Sequence, residues 1–147
     1  MIRGLLLGPP ARLRPFITAR RSIPSQHIVG EVDFLVDTGA DSTLLAPRDA
    51  LDLGLDLAQL PRGPTSTGVG GSSTTVYADA TITLDTRTFA LRLRILAPRP
   101  GRQRAALARI PSLLGRDILV RFALFFEERT GKVLLLEPQE ADALGLP

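Results

Sequence analysis

The stretch FLVDTGADSTLL, residues 34–45, decides how the rest of the chain is read. Three apolar residues, Phe34 to Val36, lead into Asp37; Thr38 and Gly39 follow, then a second acid, Asp41, and the apolar pair Leu44 and Leu45. The apolar approach implies a buried strand. A carboxylate at its end, turned at once on a glycine, is held rigidly with its oxygens facing whatever cleft lies above. Gly39 permits a turn where a Cβ would clash, and Thr38 brings a hydroxyl that can anchor it. Water activation is the chemistry suited to such a carboxylate. One carboxylate alone performs it poorly, because amide hydrolysis needs a base for the water and an acid for the leaving nitrogen. Two facing aspartates that share one proton supply both, since adjacent like charges resist double ionisation. The chain has a single turn of this kind, so a second copy has to come from a second chain.

Composition narrows the alternatives. At 147 residues the chain is long enough for one core and short for two. It has no cysteine and one histidine, His27, which excludes a thiolate zinc site and any multi-histidine metal site. Neither metal nor cofactor is expected. The opening MIRGLLLGPP is too short for a signal-peptide core or a membrane span, so a soluble chain is expected, with the cytoplasm as its compartment. The net charge of +3 comes almost wholly from arginine, Lys132 being the only lysine. Acidic residues are interleaved along most of the chain, and the one basic run, PRPGRQRAALAR at 98–109, lacks aromatics that could stack on bases. It reads as a solvated arginine-rich loop, and nucleic acid is not an expected partner.

Along the chain the dominant period is two. FITAR, VDFLV, TTVYADATITL and FALRLRIL are β-branched or alternating; in the last, Leu91, Leu93 and Ile95 against Arg92 and Arg94 make a strand with one wet face. Two segments break the period. PRDALDLG, with Pro47 first and Gly54 last, predicts one or two helical turns. LLGRDILVRF predicts a short helix packed on the sheet, and ALFFEERTGKVLLLEP a hairpin turning near Arg129 to Gly131. The glycine-rich STGVGGSS, 66–73, reads by itself as a flexible loop or as the tip of a long hairpin, with the loop favoured.

FLVDTGADSTLL, followed by SLLGRDIL, resembles the retropepsin-like aspartic proteases. Their retroviral members are homodimers with one Asp-Thr-Gly per subunit. The resemblance runs from about Arg14 to Pro138. It implies a mainly β protein: a closed β-barrel with a flap hairpin and one or two short helices. Residues 14–138 would form the protease domain, 1–13 an N-terminal extension and 139–147 a C-terminal tail. GVGG, 68–71, resembles the flap tip, which moves the hairpin reading ahead of the loop. Leu113, Leu114 and Gly115 match the hydrophobic-hydrophobic-glycine signature beside the catalytic loop.

Site residues follow from the resemblance. It implies Asp37 as the catalytic aspartate, one from each subunit, in an active-site loop with Thr38, Gly39 and Ala40. Thr38 would brace the two loops across the dimer axis, and Gly39 would present backbone groups to substrate. Asp41 and Arg116 match an ion pair beneath the site, Gly115 supports the loop, and Arg14 matches a residue that reaches the other subunit's acid. Gly68, Val69, Gly70 and Gly71 would form the substrate-binding flap. The implied activity is that of an aspartic endopeptidase acting on extended polypeptides; a silent peptide-binding or scaffolding module of the same fold is the alternative. In retroviral members the termini of both subunits interleave into one dimer sheet. Here the first dozen residues, the 97–111 insertion and the tail have no secure counterpart, which leaves the form of that interface open.

Overall fold

The computed structural model describes residues 1–64, 66–68, 71–97 and 109–146, with side chains left aside over 66–68 and 71–73. The alternating segments all form strands. β1 is Ile2–Arg3, β2 Leu5–Leu7, β3 Arg14–Ile23, β4 Ile28–Val36 and β5 Leu44–Leu45; helix α1, Pro47–Asp52, follows. Then come β6, Ser66–Gly68, β7, Gly71–Ser73, β8, Thr75–Leu84, β9, Arg87–Leu96, and β10, Leu113–Leu114. Helix α2, Arg116–Leu119, leads to β11, Ala123–Glu127, β12, Lys132–Leu136, and helix α3, Pro138–Asp142.

β3, β4, β10, β5, β9 and β8 are hydrogen-bonded in that order, and β3 pairs with β8 to close the ring into a barrel. The closure works because β3 is long. Its Arg20 to Ser22 segment pairs with β8, while its first residues, Arg14 to Phe16, pair with β2. The inward-facing positions fill the barrel, with Ile17, Phe34, Leu45, Ile82, Leu93, Ile95 and Leu114 fully buried. Period-two alternation is visible in β9, where Leu93 and Ile95 are buried while Arg92 is exposed. His27 sits exposed in a turn with a left-handed backbone, as a solvated loop residue would.

β10 is the element that positions the site. It is only two residues long, yet it lies between β4 and β5, parallel to the first and antiparallel to the second. Leu35 N–H donates to Ser112 O at 2.8 Å, and Asp37 N–H donates to Leu114 O at 3.1 Å. The end of β4 is thus pinned by chain arriving from far downstream.

Outside the barrel, β1, β12 and β11 form a second, three-stranded sheet. The opening residues, which carry no clear period, therefore supply strands to both sheets, and α3 occupies a tail in which the sequence shows no strong pattern. Among the described residues no helix is long and apolar enough to cross a membrane.

Arg21 breaks the composition of the core. It follows Ile17 and Ala19 on the inner face of β3 and is fully buried, and none of its three guanidinium nitrogens donates a hydrogen bond to any of the described residues. Burial pushes its pKa below the usual arginine range, and the charge of Asp49 on α1 opposes that shift. A buried charge with such thin compensation contributes little to stability. Arg21→Met is accordingly expected to leave the fold intact and raise its unfolding free energy by up to about 3 kcal/mol. A urea midpoint that falls would show that the guanidinium holds the core together.

Candidate active site

The loop after β4 is a compact turn stabilised from within. Gly39 N–H donates to Asp37 Oδ1 at 2.9 Å, and Ala40 N–H donates to Asp37 O at 3.2 Å. Asp37 is half-buried, whereas Thr38 and Gly39 are exposed at the tip. A Cβ on Gly39 would stand 3.2 Å from Asp37 Oδ1, so the absent side chain keeps the carboxylate free to aim outward.

The downstream half of the loop is tied to α2. Arg116 N–H donates to Ala40 O at 2.9 Å, and Asp117 N–H to Asp41 O at 3.2 Å. Arg116 and Asp41 form the expected ion pair through Nη2 and Oδ1. Both side chains are well exposed, so this pair contributes little, at most about 1 kcal/mol.

The stronger tie is one that the sequence did not disclose. The Asp117 carboxylate accepts from Thr43 N–H with both oxygens, at 3.0 and 2.9 Å, and from Thr43 Oγ1–H at 2.7 Å. It also accepts from Ile118 N–H at 3.0 Å, within the first turn of α2. Thr43 Oγ1 in turn accepts from Gly115 N–H at 3.1 Å. Hydrogen bonds to a charged group are worth about 1.5–3 kcal/mol net, so this clamp outweighs the surface ion pair beside it. A second brace sits behind it: Ser112 Oγ–H donates to Asp49 Oδ2 at 2.5 Å, while Ala46 N–H donates to Ser112 Oγ at 2.9 Å. The only sequence signal for Asp117 and Thr43 was their proximity to the two motifs.

Gly115 is required sterically. A Cβ there would lie 2.5 Å from the Ser42 carbonyl carbon and 2.8 Å from Thr43 N, both backbone atoms that cannot swing away.

Arg14 stacks over the Phe16 ring at 5.7 Å and has no ion-pair partner within the chain among the described residues. The glycine-rich segment is a hairpin: β6 pairs with β7, with Gly68 opposite Gly71. Its arms continue toward the barrel through Gly63 N–H to Thr75 O at 2.8 Å and Tyr77 N–H to Pro61 O at 3.0 Å. Val69 and Gly70 lie outside the described residues, as does nearly all of the basic run at 98–109.

Asp37 lines neither the groove bounded by Pro24, Leu60, Tyr77 and Arg92 nor the one bounded by Asp33, Asp49 and Arg109. Concavity elsewhere does not relocate the chemistry, because those grooves lack a carboxylate presented on a braced turn. Among the described residues no cluster of three or more potential metal ligands occurs.

The family model described as aspartyl protease matches residues 29–118, more than half of the chain, from within β4 through the whole loop into α2. The chain belongs to the aspartyl protease family. Among solved structures, EIAV protease complexed with the inhibitor HBY-793 is 23% identical with a TM-score of 0.53, the match covering 78% of this chain and 92% of that one. A retropepsin-like aspartic protease from Rickettsia conorii is 21% identical with a TM-score of 0.54, covering 90% of this chain and 87% of that one. At such identities the likeness is one of fold, and the fold of this aspartyl protease is retropepsin-like. No curated protein sequence matches it.

Proposed function

We propose that this aspartyl protease is an endopeptidase that hydrolyses extended polypeptides as a homodimer, with Asp37 of each subunit at a shared site. The observation that carries the reading is the Asp37 turn, half-buried and braced through Leu114, Ala40 and Gly39. Residues 14–138 form the protease unit in this reading.

The two Asp37 carboxyls hold one proton between them. The ionised one takes a proton from water as the new C–O bond forms at the scissile carbonyl, while the other gives its proton to the carbonyl oxygen. Collapse of the tetrahedral adduct breaks the C–N bond as the nitrogen is protonated, and no covalent enzyme intermediate forms. Thr38, exposed at the turn's tip, braces one loop against its copy. Arg14, which has no ion pair among the described residues of its own chain, reaches the partner subunit's Asp41. The β6–β7 hairpin, in which Gly68 pairs with Gly71, acts as the flap, with Gly68, Val69, Gly70 and Gly71 as its substrate-binding residues, and substrate adds a strand beneath it.

Because the pair works with one proton, activity should peak at mildly acidic pH and fall on either side. A rate that stays flat from mildly acidic to clearly basic pH would overturn the shared-proton mechanism. The activity itself is tested by mass-spectrometric profiling of cuts in a denatured peptide mixture. Cuts that appear with the wild type support the reading; none from a folded dimer would favour a peptide-binding module.

A further inference from the structure

The β6–β7 hairpin is joined to the barrel unequally on its two sides. The returning arm runs into β8, whose ten residues all pair with β9. The ascending arm, residues 61–63, meets β8 through a short ladder: Arg62 bridges Val76, Gly63 N–H donates to Thr75 O at 2.8 Å, and Tyr77 N–H donates to Pro61 O at 3.0 Å. The ascending arm is the less restrained side.

One side chain reinforces that ladder. Val76 and Ala78 are buried in the barrel, so Tyr77 between them projects from the outer face of β8. Its ring lies against Gly63, where a Cβ would stand 1.9 Å from Cε2, 2.8 Å from Cδ2 and 2.9 Å from Cζ. The ring fills the space that any other residue at 63 would claim. The Arg92 guanidinium lies over the same ring, 4.8 Å from its centroid. Tyr77 stands opposite Arg94 in the β8–β9 register, which makes Arg92 its diagonal neighbour, within reach of an aromatic ring. Arg92 itself stands opposite Asp79, yet among the described residues the two form no ion pair, and the guanidinium is committed to the ring. Tyr77 thus links the ascending arm to β9, to which no backbone hydrogen bond among the described residues joins it. Beside the ring opens the groove bounded by Leu60, Pro61, Ala78 and Asp79, with a volume of about 540 Å³, so the ring has room to leave its seat.

We propose that Tyr77 is a positioning residue for the flap: seated against Gly63 and Arg92, its ring latches the base of the hairpin, and its departure into the neighbouring groove releases it. This rests on the flap reading above and deepens it by naming what restrains the flap. A latched flap receives substrate without first having to be ordered, and such preorganisation strengthens binding. The latch therefore acts on substrate binding rather than on the chemistry at Asp37.

Tyr77→Ala removes the ring, and Gly63→Ala displaces it, because the added methyl group takes the seat and the ring is a side chain able to turn away. Each is expected to lower amide hydrogen-exchange protection at positions 63 and 77 by about 5- to 30-fold, with β3 and β4 as well protected as in the wild type. Each should also raise KM for peptide substrates by a similar factor at unchanged kcat, whereas a merely weakened fold would lower the apparent kcat and leave KM alone. Tyr77→Phe keeps the ring and should behave as the wild type. The double variant should be no worse than either single one, since both remove the same contact. Wild-type protection at 63 and 77 in Tyr77→Ala, an equal loss throughout β3 and β4, or additive losses in the double variant would overturn the latch. Lost protection with an unchanged KM would overturn its role in positioning the flap. A wild type that cuts no peptide would overturn the endopeptidase reading instead, and the exchange measurements would still decide the latch.

Discussion

Asp37→Asn is expected to reduce kcat/KM for peptide hydrolysis by on the order of 10³-fold or more while the protein folds and assembles as before. The size follows from the proposed role: positioned acid–base groups contribute about 10²–10⁴-fold, and in the proposed homodimer one substitution removes both members of the pair at once. A 10³-fold loss corresponds to about 4 kcal/mol of transition-state stabilisation. The selectivity follows from local geometry. Among the described residues the Asp37 side chain accepts one hydrogen bond, from Gly39 N–H, and an asparagine Oδ1 accepts it equally well. The turn is otherwise held by backbone groups, Asp37 N–H to Leu114 O and Ala40 N–H to Asp37 O. Thermal unfolding and solution mass should therefore match the wild type, and peptides should still bind. Retention of more than about a tenth of the activity would move the chemistry away from this carboxylate, since loss of one general acid–base function alone costs about 10²-fold at the least.

Gly115→Ala is expected to do the opposite, damaging structure first and activity as a consequence. The new methyl group would lie 2.5 and 2.7 Å from the Ser42 carbonyl carbon and oxygen, distances that no rotamer change relieves. Either β10 moves out from between β4 and β5 or the Ser42–Thr43 backbone shifts, and both break the Thr43–Asp117 clamp. Overpacking of this kind costs about 1–3 kcal/mol, and loss of charge-assisted hydrogen bonds adds to it. The measurement is a denaturant midpoint together with near-ultraviolet circular dichroism. An Asp117→Asn companion separates the two contributions: it keeps the backbone clear but weakens the clamp, so it should fall between wild type and Gly115→Ala. Wild-type stability for Gly115→Ala would mean that the loop tolerates displacement and that the glycine serves another purpose.

Asp37 stood out in the sequence because backbone demands leave sharp marks, whereas Gly115 was singled out only through the family resemblance. An apolar run stopped by Asp37 and turned on Gly39 admits few other residues at those places; the steric demand at Gly115 shows only once Ser42 and Thr43 are packed against it. Alternation likewise revealed β3, β4, β8 and β9, since a half-buried strand dictates every second side chain. What stayed hidden depended on partners distant in sequence. Asp117 reads as one more helix-start acid until Thr43 is brought against it across 74 positions. Arg21 had the inward register of Ile17, Ala19 and Ile23 in its favour, but its charge argued for solvent. The opening residues form β1 and β2 because β12 and β3 offer them open edges, not because of a pattern of their own.

The insertion of β10 between β4 and β5 has a consequence for the order of events during synthesis. Asp37 and its turn leave the ribosome early, but their ties to Leu114, and those of Ala40 and Asp41 to α2, wait for the chain to be made through residue 117. Closing a loop of that length costs entropy before any contact rewards it, so the site is among the last parts to form. A nascent chain carries the aspartate without the means to aim it. The proposed cleavage site is thereby withheld until synthesis has passed residue 117.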